Sequence, residues 1–372
     1  MVGMGTVITV LGAPRSGTSA ITRALPVMGA VLGDELVKPG LDNPTGFWED
    51  IPTQEINVRL LELAGRHIEW PVLSRENIEL SPSYPETKRR AVELLQQRLE
   101  ADPIWAFKDP RTSRLLFFWQ DVFRRIGCAD RYVLALRNPQ SVAESLMVSS
   151  GIKYATGLVL WLECTVRAVQ DTLCRSMVVV SYERLMENPT AEVLRIAEGL
   201  ALEEHLLAPA LNSYTHNFIS PELMHIRHNQ RDLADATREF PLIYDIYTLL
   251  SQQATDALTT EEFCGFWLPL YARFEREFPA FIAANPWMET HKAIFLPRPQ
   301  RICRRLRAHG TSEMRRLTHR TIKKIWPQGL NIRRSNRKLL KACQPIAAAF
   351  FFTFGLRQTA SPRGEKNQKP SL

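Results

Sequence analysis

The chain has no C-x-x-C pair, and its six cysteines (Cys128, Cys164, Cys174, Cys264, Cys303 and Cys343) follow no regular spacing. A zinc site or disulfide framework is therefore not expected, and free thiols in a reducing, cytoplasmic setting are. No stretch reaches the roughly 18 apolar residues of a membrane span. The nearest, Pro345–Leu356 (PIAAAFFFTFGL), is too short. The first residues lack a basic region leading into an apolar run and a cleavage site, so no secretory leader is read there. No internal repeat is visible. His225 and His228 flank Arg227 without a nearby cysteine or carboxylate pattern, and no metal site is expected from them.

Charge is unevenly placed. The net charge of +8 hides a division: from Pro297 onward 19 Lys and Arg face only Glu313 and Glu365. Residues 1–296 hold the remaining 28 Lys and Arg against 37 Asp and Glu. A mildly acidic globular part is thus expected to carry a basic appendage. With 372 residues, a sizeable core is available to the first part.

Apolar runs rich in β-branched residues mark strands at Thr6–Leu11, Ile104–Phe107, Tyr132–Leu136 and Met177–Ser181. Helical spacing runs from Thr18 through Ile21, Leu25 and Met28, and again over Pro85–Glu100, Gly157–Cys174 and Pro189–Leu200. Asn138-Pro139 supplies a helix cap followed by a proline at the first helical position. Strands separated by helices predict an α/β, P-loop-like three-layer fold, with a central mostly parallel sheet flanked by helices. A basic helical C-terminal extension follows. The expected division is a domain over 1–285, basic amphipathic helices over 286–358 and a disordered tail over 359–372.

The first strand ends in Gly12–Ile21, GAPRSGTSAI. Gly12 and Gly17 have the spacing of a Walker A loop, but Thr18 stands where its lysine would be. The cation in the loop is instead Arg15, three residues earlier. Backbone N–H groups between a strand and a helix form an anion cradle, and Ser16, Thr18 and Ser19 add hydroxyls. Without the lysine that reaches a β/γ-phosphate pair, the loop is expected to hold one terminal 5′-phosphate. Arg15 would then reach toward the group that phosphate carries. An ordinary strand–turn–helix and a degenerate nucleotide kinase are the other readings of the same residues.

G-A-P-R-S-G-T-S resembles the 5′-phosphosulfate loop of sulfotransferases that use 3′-phosphoadenosine 5′-phosphosulfate (PAPS). A second motif lies in YVLALRNPQSVAESL, Tyr132–Leu146, where Arg137 ends a strand and Ser145 follows eight residues later on a helix. That is the family's spacing for the 3′-phosphate, and arginine suits it because it can grip two phosphate oxygens. The likeness covers about residues 5–280. It looks most like bacterial enzymes acting on cell-surface carbohydrates or lipids, in Asn43–Asp50 (NPTGFWED), Phe107–Arg111 (FKDPR) and Ser181–Pro189 (SYERLMENP). The arginine-lysine-glycine motif of the cytosolic animal enzymes is absent, with Arg227 as a candidate substitute.

The resemblance implies PAPS as co-substrate, no metal, and a carbohydrate or glycolipid hydroxyl as acceptor. It assigns Arg15, Ser16, Gly17, Thr18, Ser19, Arg137 and Ser145 to the nucleotide. A hydroxyl acceptor needs a general base near the sulfur. Glu49 in GFWED is the first candidate, with Asp50 and His67 as alternatives. Lys108, Asp109 and Arg111 form a charged cluster just past a strand's carboxyl end, able to touch ligand or pair among themselves. Trp48, Trp105, Trp119 and Trp161 are candidates for a sugar site and for the core.

In residues 298–341, Arg and Lys alternate with Ile302, Leu306, Leu317, Ile322, Ile325, Trp326, Leu339 and Leu340. Such basic amphipathic helices sit on anionic membranes, so a peripheral inner-membrane position is expected. Packing on the acidic domain is the competing role. Nucleic acid is not expected, because no recognition module accompanies the charge. A non-catalytic membrane-surface protein that keeps a dead nucleotide fold is the non-enzyme alternative.

Overall fold

The structure is a computed structural model. It describes residues 5–285, apart from 41–42, 44, 66–72, 174, 220–227 and 229. His67, His225, Arg227, Cys174 and the whole basic extension lie outside the described residues.

Four strands alternate with helices along the chain: β1 (Thr6–Leu11), β2 (Ile104–Lys108), β3 (Ala129–Leu136) and β4 (Met177–Ser181). They form one sheet in the order β2-β1-β3-β4, parallel throughout. Before β2 lie α1 (Thr18–Ala24), α2 (Ile51–Leu63), α3 (Arg75–Glu79) and α4 (Tyr84–Ala101). Then come α5 (Thr112–Ile126), α6 (Pro139–Ser150), α7 (Tyr154–Thr172), α8 (Tyr182–Glu187) and α9 (Pro189–Gly199). The series closes with α10 (Ala208–Ser213), α11 (Gln230–Ala236), α12 (Leu242–Gln253) and α13 (Thr260–Ala284).

The strands read as unbroken apolar runs because both sheet faces are covered. In β3, Tyr132, Leu134 and Leu136 enter one core while Val133 and Ala135 enter the other. The first core takes α2, α4, α5, α7, α12 and α13; the second takes α1, α8 and α9. This is a three-layer α/β arrangement, as a parallel sheet requires.

Some boundaries differ from the sequence pattern. The helix after the loop stops at Ala24 and tightens into a 3₁₀ turn over Leu25–Met28 that contains Pro26. Proline has no N–H to give, so an α-helical bond is lost there. The long helix expected from Gly157 starts at Tyr154 and ends at Thr172. Asn138 caps α6 by accepting from the Gln140 N–H, with Pro139 next, as its sequence requires. Among the described residues no single helix is long and apolar enough to cross a membrane. Taken together, α6 and α7 pass that test, but they meet at a 119° bend.

Because every strand is parallel, all four carboxyl ends share one edge. The loops leaving them begin at Gly12, Asp109, Arg137 and Tyr182. The chain moves from β1 to one side for β2 and to the other for β3, and this reversal opens a crevice above β1.

Candidate nucleotide and transfer site

The loop after β1 curls back on itself. Gly12 has φ 137° and Gly17 φ 87°. A side chain on Gly12 would come within 2.8 Å of the Ala135 carbonyl, so only glycine lets the loop lie against β3. Gly12 is also held from the next layer. Its N–H donates to Ser113 Oγ (2.8 Å), and that hydroxyl donates back to the Gly12 carbonyl (3.1 Å). The Ser16 N–H donates to the Ala13 carbonyl (3.1 Å), and Gly17, in left-handed backbone, starts α1 without a side-chain cap.

The loop's hydroxyls take different directions. Ser16 is fully buried, and its Oγ has no hydrogen-bond partner among the described residues. A buried hydroxyl without a partner is costly, and an anion in the cradle would supply one. Thr18 is buried beside Gly12. Ser19 Oγ turns to the neighbouring segment: it donates to the Phe47 carbonyl (3.2 Å) and accepts from Asn43 Nδ2 (3.3 Å) and Lys108 Nζ (3.4 Å). The crevice thus has a second cation beside the loop, delivered by β2.

Arg15 stands in left-handed backbone, φ 75°, a conformation a non-glycine residue holds only when its surroundings impose it. Two contacts impose it here. Its Nε donates to Ser145 Oγ on α6 (3.0 Å), and its carbonyl accepts from Arg137 Nη1 (3.0 Å). The two motifs, 122 residues apart at Arg15 and Arg137, are therefore in direct contact. Arg137 is nearly buried, and its carbonyl accepts from Trp161 Nε1 (3.2 Å). Burial pulls its guanidinium below the ordinary arginine range, with Tyr182 and Glu183 acting the other way. A desolvated cation of this kind gains most from an incoming anion.

The segment between α1 and α2 carries the base candidates. It is pinned by an antiparallel bridge between Leu36 and Asp50, with the Val37 N–H donating to the Glu49 carbonyl (2.8 Å). Glu49 is buried and doubly engaged, with Lys108 Nζ at 2.8 Å from Oε1 and Gln54 Nε2 at 2.7 Å from Oε2. Asp50 does something else. It caps α2 by accepting from the Thr53 N–H (3.1 Å) and hydroxyl (2.7 Å), and it pairs with Arg98 (2.8 Å). Adjacent in sequence, the two carboxylates are separated in role by the helix start between them.

Lys108 faces the loop and Glu49, while Asp109 and Arg111 pair with each other, Arg111 Nη1 reaching both carboxylate oxygens (2.8 and 2.9 Å). Burial pushes the Asp109 carboxyl up, opposed by Arg111 and reinforced by Glu49. Trp105, Trp119 and Trp161 are core residues. Trp48 lies under Arg23, 5.2 Å from its ring centre, and edge-on to Phe218. His228 is clamped on the first turn of α6. Its N–H donates to Ser141 Oγ (3.2 Å), its carbonyl accepts from Asn138 Nδ2 (3.3 Å), and its Nε2 pairs with Glu144 (3.0 Å). Among the described residues no group of three His, Cys, Asp or Glu is placed to hold a metal.

Sequence reading did not find the Ser113 bonds to Gly12 or the closeness of Lys108 to Ser19. The first needs knowledge of which helix start lies under the loop; the second was partly visible as a lysine ending a strand.

No protein-family model matches the chain, and no curated protein matches it. Among solved structures, it is similar to the sulfotransferase domain from the Synechococcus PCC 7002 olefin synthase. There identity is 17%, with 73% of this chain and 94% of that one covered, at a TM-score of 0.36. It is also similar to the sulfotransferase domain from the curacin biosynthetic pathway. Identity is again 17%, with 63% and 98% covered, at a TM-score of 0.36.

Proposed function

We propose that this chain is a sulfotransferase, moving a sulfuryl group from PAPS to a hydroxyl of a carbohydrate or glycolipid. The observation that carries the reading is the Arg15–Ser145 and Arg137–Arg15 contact pair. It brings the two strand-to-helix junctions into contact, which supports one nucleotide phosphorylated at both ends of its ribose as their shared ligand. The cradle itself fits a 5′-phosphate. Gly12 and Gly17 let the loop lie directly against Ala135 and the Tyr182 ring, and Ser16 Oγ lacks a partner among the described residues that an anion would supply. The choice of a sulfate-bearing donor rests on the resemblance of the loop to the sulfotransferase loop.

In this reading Ser16, Gly17, Thr18 and Ser19 hold the 5′-phosphate, and Arg137 with Ser145 holds the 3′-phosphate. As the acceptor oxygen bonds to sulfur, the sulfur–oxygen bond to the 5′-phosphate breaks and its electron pair stays on the phosphate oxygen. Arg15 faces that growing charge, which is where a preorganised donor helps most. Lys108 is the second cation in reach of the loop. Glu49 takes the acceptor's proton, moving off Lys108 to do so. Catalysis is then mostly positioning and charge stabilisation. The carbohydrate or glycolipid acceptor rests on the Asn43–Asp50 and Ser181–Pro189 segments. The basic residues after Pro297 would bring the enzyme to an anionic inner-membrane surface, where lipid-linked acceptors lie.

Calorimetric titration with the product nucleotide 3′-phosphoadenosine 5′-phosphate (PAP), ATP and AMP tests the reading. PAP should bind more tightly than AMP without added Mg²⁺. Tighter ATP binding with Mg²⁺-dependent turnover would establish a kinase instead. For the membrane part, the full chain should sediment with anionic liposomes and a 1–285 truncation should stay in the supernatant. Equal partition of the two would remove it.

A further inference from the structure

Arg98, in the last turn of α4, ties together the two arms of the segment that carries Glu49. The outgoing arm leaves the edge of β2 at Val31. Its N–H donates to the Ile104 carbonyl (2.9 Å), and its carbonyl accepts from the Ala106 N–H (2.8 Å). The returning arm ends at Asp50, where α2 starts. Backbone bonds lace the arms to each other: the Val37 N–H donates to the Glu49 carbonyl and the Ile51 N–H to the Glu35 carbonyl, both at 2.8 Å. Arg98 adds the tie to α4. Its Nη1 donates to Asp34 Oδ2 on the outgoing arm (3.0 Å) and its Nη2 to Asp50 Oδ1 on the returning one (2.8 Å). The two contacts differ in strength. The Asp34 side chain is 89% exposed and screened by water, whereas that of Asp50 is wholly buried. Asp50 divides its oxygens, giving Oδ1 to Arg98 and Oδ2 to the cap of α2. Gly33, at φ 92°, lies against the same contact, and a Cβ there would fall 2.5 Å from Asp50 Oδ1. One residue before this anchored carboxylate stands Glu49, with Oε1 on Lys108. A residue joined to a fixed helix start has little freedom, so what fixes Asp50 also aims Glu49.

We propose that Arg98 is a positioning residue that aims the Glu49 carboxylate at the acceptor from α4, acting through Asp50 and touching no substrate itself. The inference rests on the function proposed above, with Glu49 as the base. It makes two separable claims: the buried Asp50 arm of the fork carries the effect, and the effect reaches the reaction only through Glu49.

Steady-state rates of the full chain with PAPS and a panel of carbohydrate and glycolipid acceptors give kcat, and titration with PAP gives nucleotide affinity. Arg98→Met should lower kcat about 10-fold, a part of the roughly 10²-fold that a 1 Å misplacement costs. PAP affinity should stay within about twofold, because no nucleotide contact is lost. Arg98→Lys should recover most of kcat, since an ammonium still reaches Asp50 and gives up only the exposed arm. Asp34→Asn should leave kcat within about twofold for the same reason. In a Glu49→Gln background, Arg98→Met should lower kcat no further. An unchanged kcat in Arg98→Met overturns the proposal. So does an equal loss of PAP affinity, the mark of a general loosening. A further drop in the Glu49→Gln background also overturns it, because the effect would then bypass Glu49. If circular dichroism shows Arg98→Met unfolded, Asp50→Asn, which keeps an oxygen for the α2 cap, takes its place with the same expectations. A wild-type chain that transfers to none of the acceptors, or does not prefer PAP to AMP, defeats the underlying function. An active wild type whose kcat is insensitive to Arg98 defeats this inference alone.

Discussion

Arg15→Ala should lower turnover at saturating PAPS by about 10²-fold or more, the loss typical of removing one preorganised donor from a developing negative charge. Donor binding should fall much less, since Ser16, Gly17, Thr18 and the Arg137 side remain. Alanine in a left-handed backbone is itself strained, so Arg15→Gly is the needed control. It removes the side chain and relieves the strain. Both variants should lose turnover equally if the guanidinium acts on the reaction. Arg15→Lys should recover part of the rate but not all, because a lysine cannot both donate sideways to Ser145 Oγ and face the leaving oxygen. Initial rates with PAPS and a panel of carbohydrate and glycolipid acceptors measure this. Turnover within about threefold of wild type in Arg15→Gly would remove the residue from the chemistry.

Glu49→Ala should be the most destabilising single change in the site. Lys108 has 2% of its side chain exposed and Glu49 has 9%, so the pair is desolvated on both sides. Deleting one partner of such a pair leaves a buried charge uncompensated, at a cost of about 3–5 kcal/mol. The urea midpoint should fall accordingly, and a Glu49→Leu, Lys108→Met double variant should recover most of the loss. Glu49→Gln keeps the shape and a hydrogen-bond acceptor for Lys108, so it tests the chemistry more cleanly. Turnover should drop more than PAP affinity. If PAP affinity drops more, Glu49 belongs to the nucleotide pocket, and a group elsewhere takes the proton.

The strands were legible because a sheet covered on both faces leaves a simple trace, an apolar run ending in a glycine or a polar residue. Asn138-Pro139 was legible because capping is a local matter. Elements that depend on distant partners were not. The 25-residue helix α13 contains Pro269 and Pro279, which by themselves argue against a continuous helix. The same limit applies to the site. The resemblance implied that Arg15 and Arg137 serve one molecule, but only the fold shows the contact between them. Glu49 and Asp50 looked alike in a row of letters, and a helix start sends one to Lys108 and the other to Arg98.

The backing of Gly17 by Tyr182 has a consequence for how the protein is made. The loop's residues are synthesised about 165 residues before the ring that supports them. A sheet closed by such long-range pairings forms late, after the loop-closure cost has been met. A nascent chain that has not yet placed its fourth strand would therefore hold the residues of the cradle without its shape, and nucleotide would reward only the finished assembly. Added to a refolding mixture, PAP should raise the yield of native protein without speeding the earliest collapse.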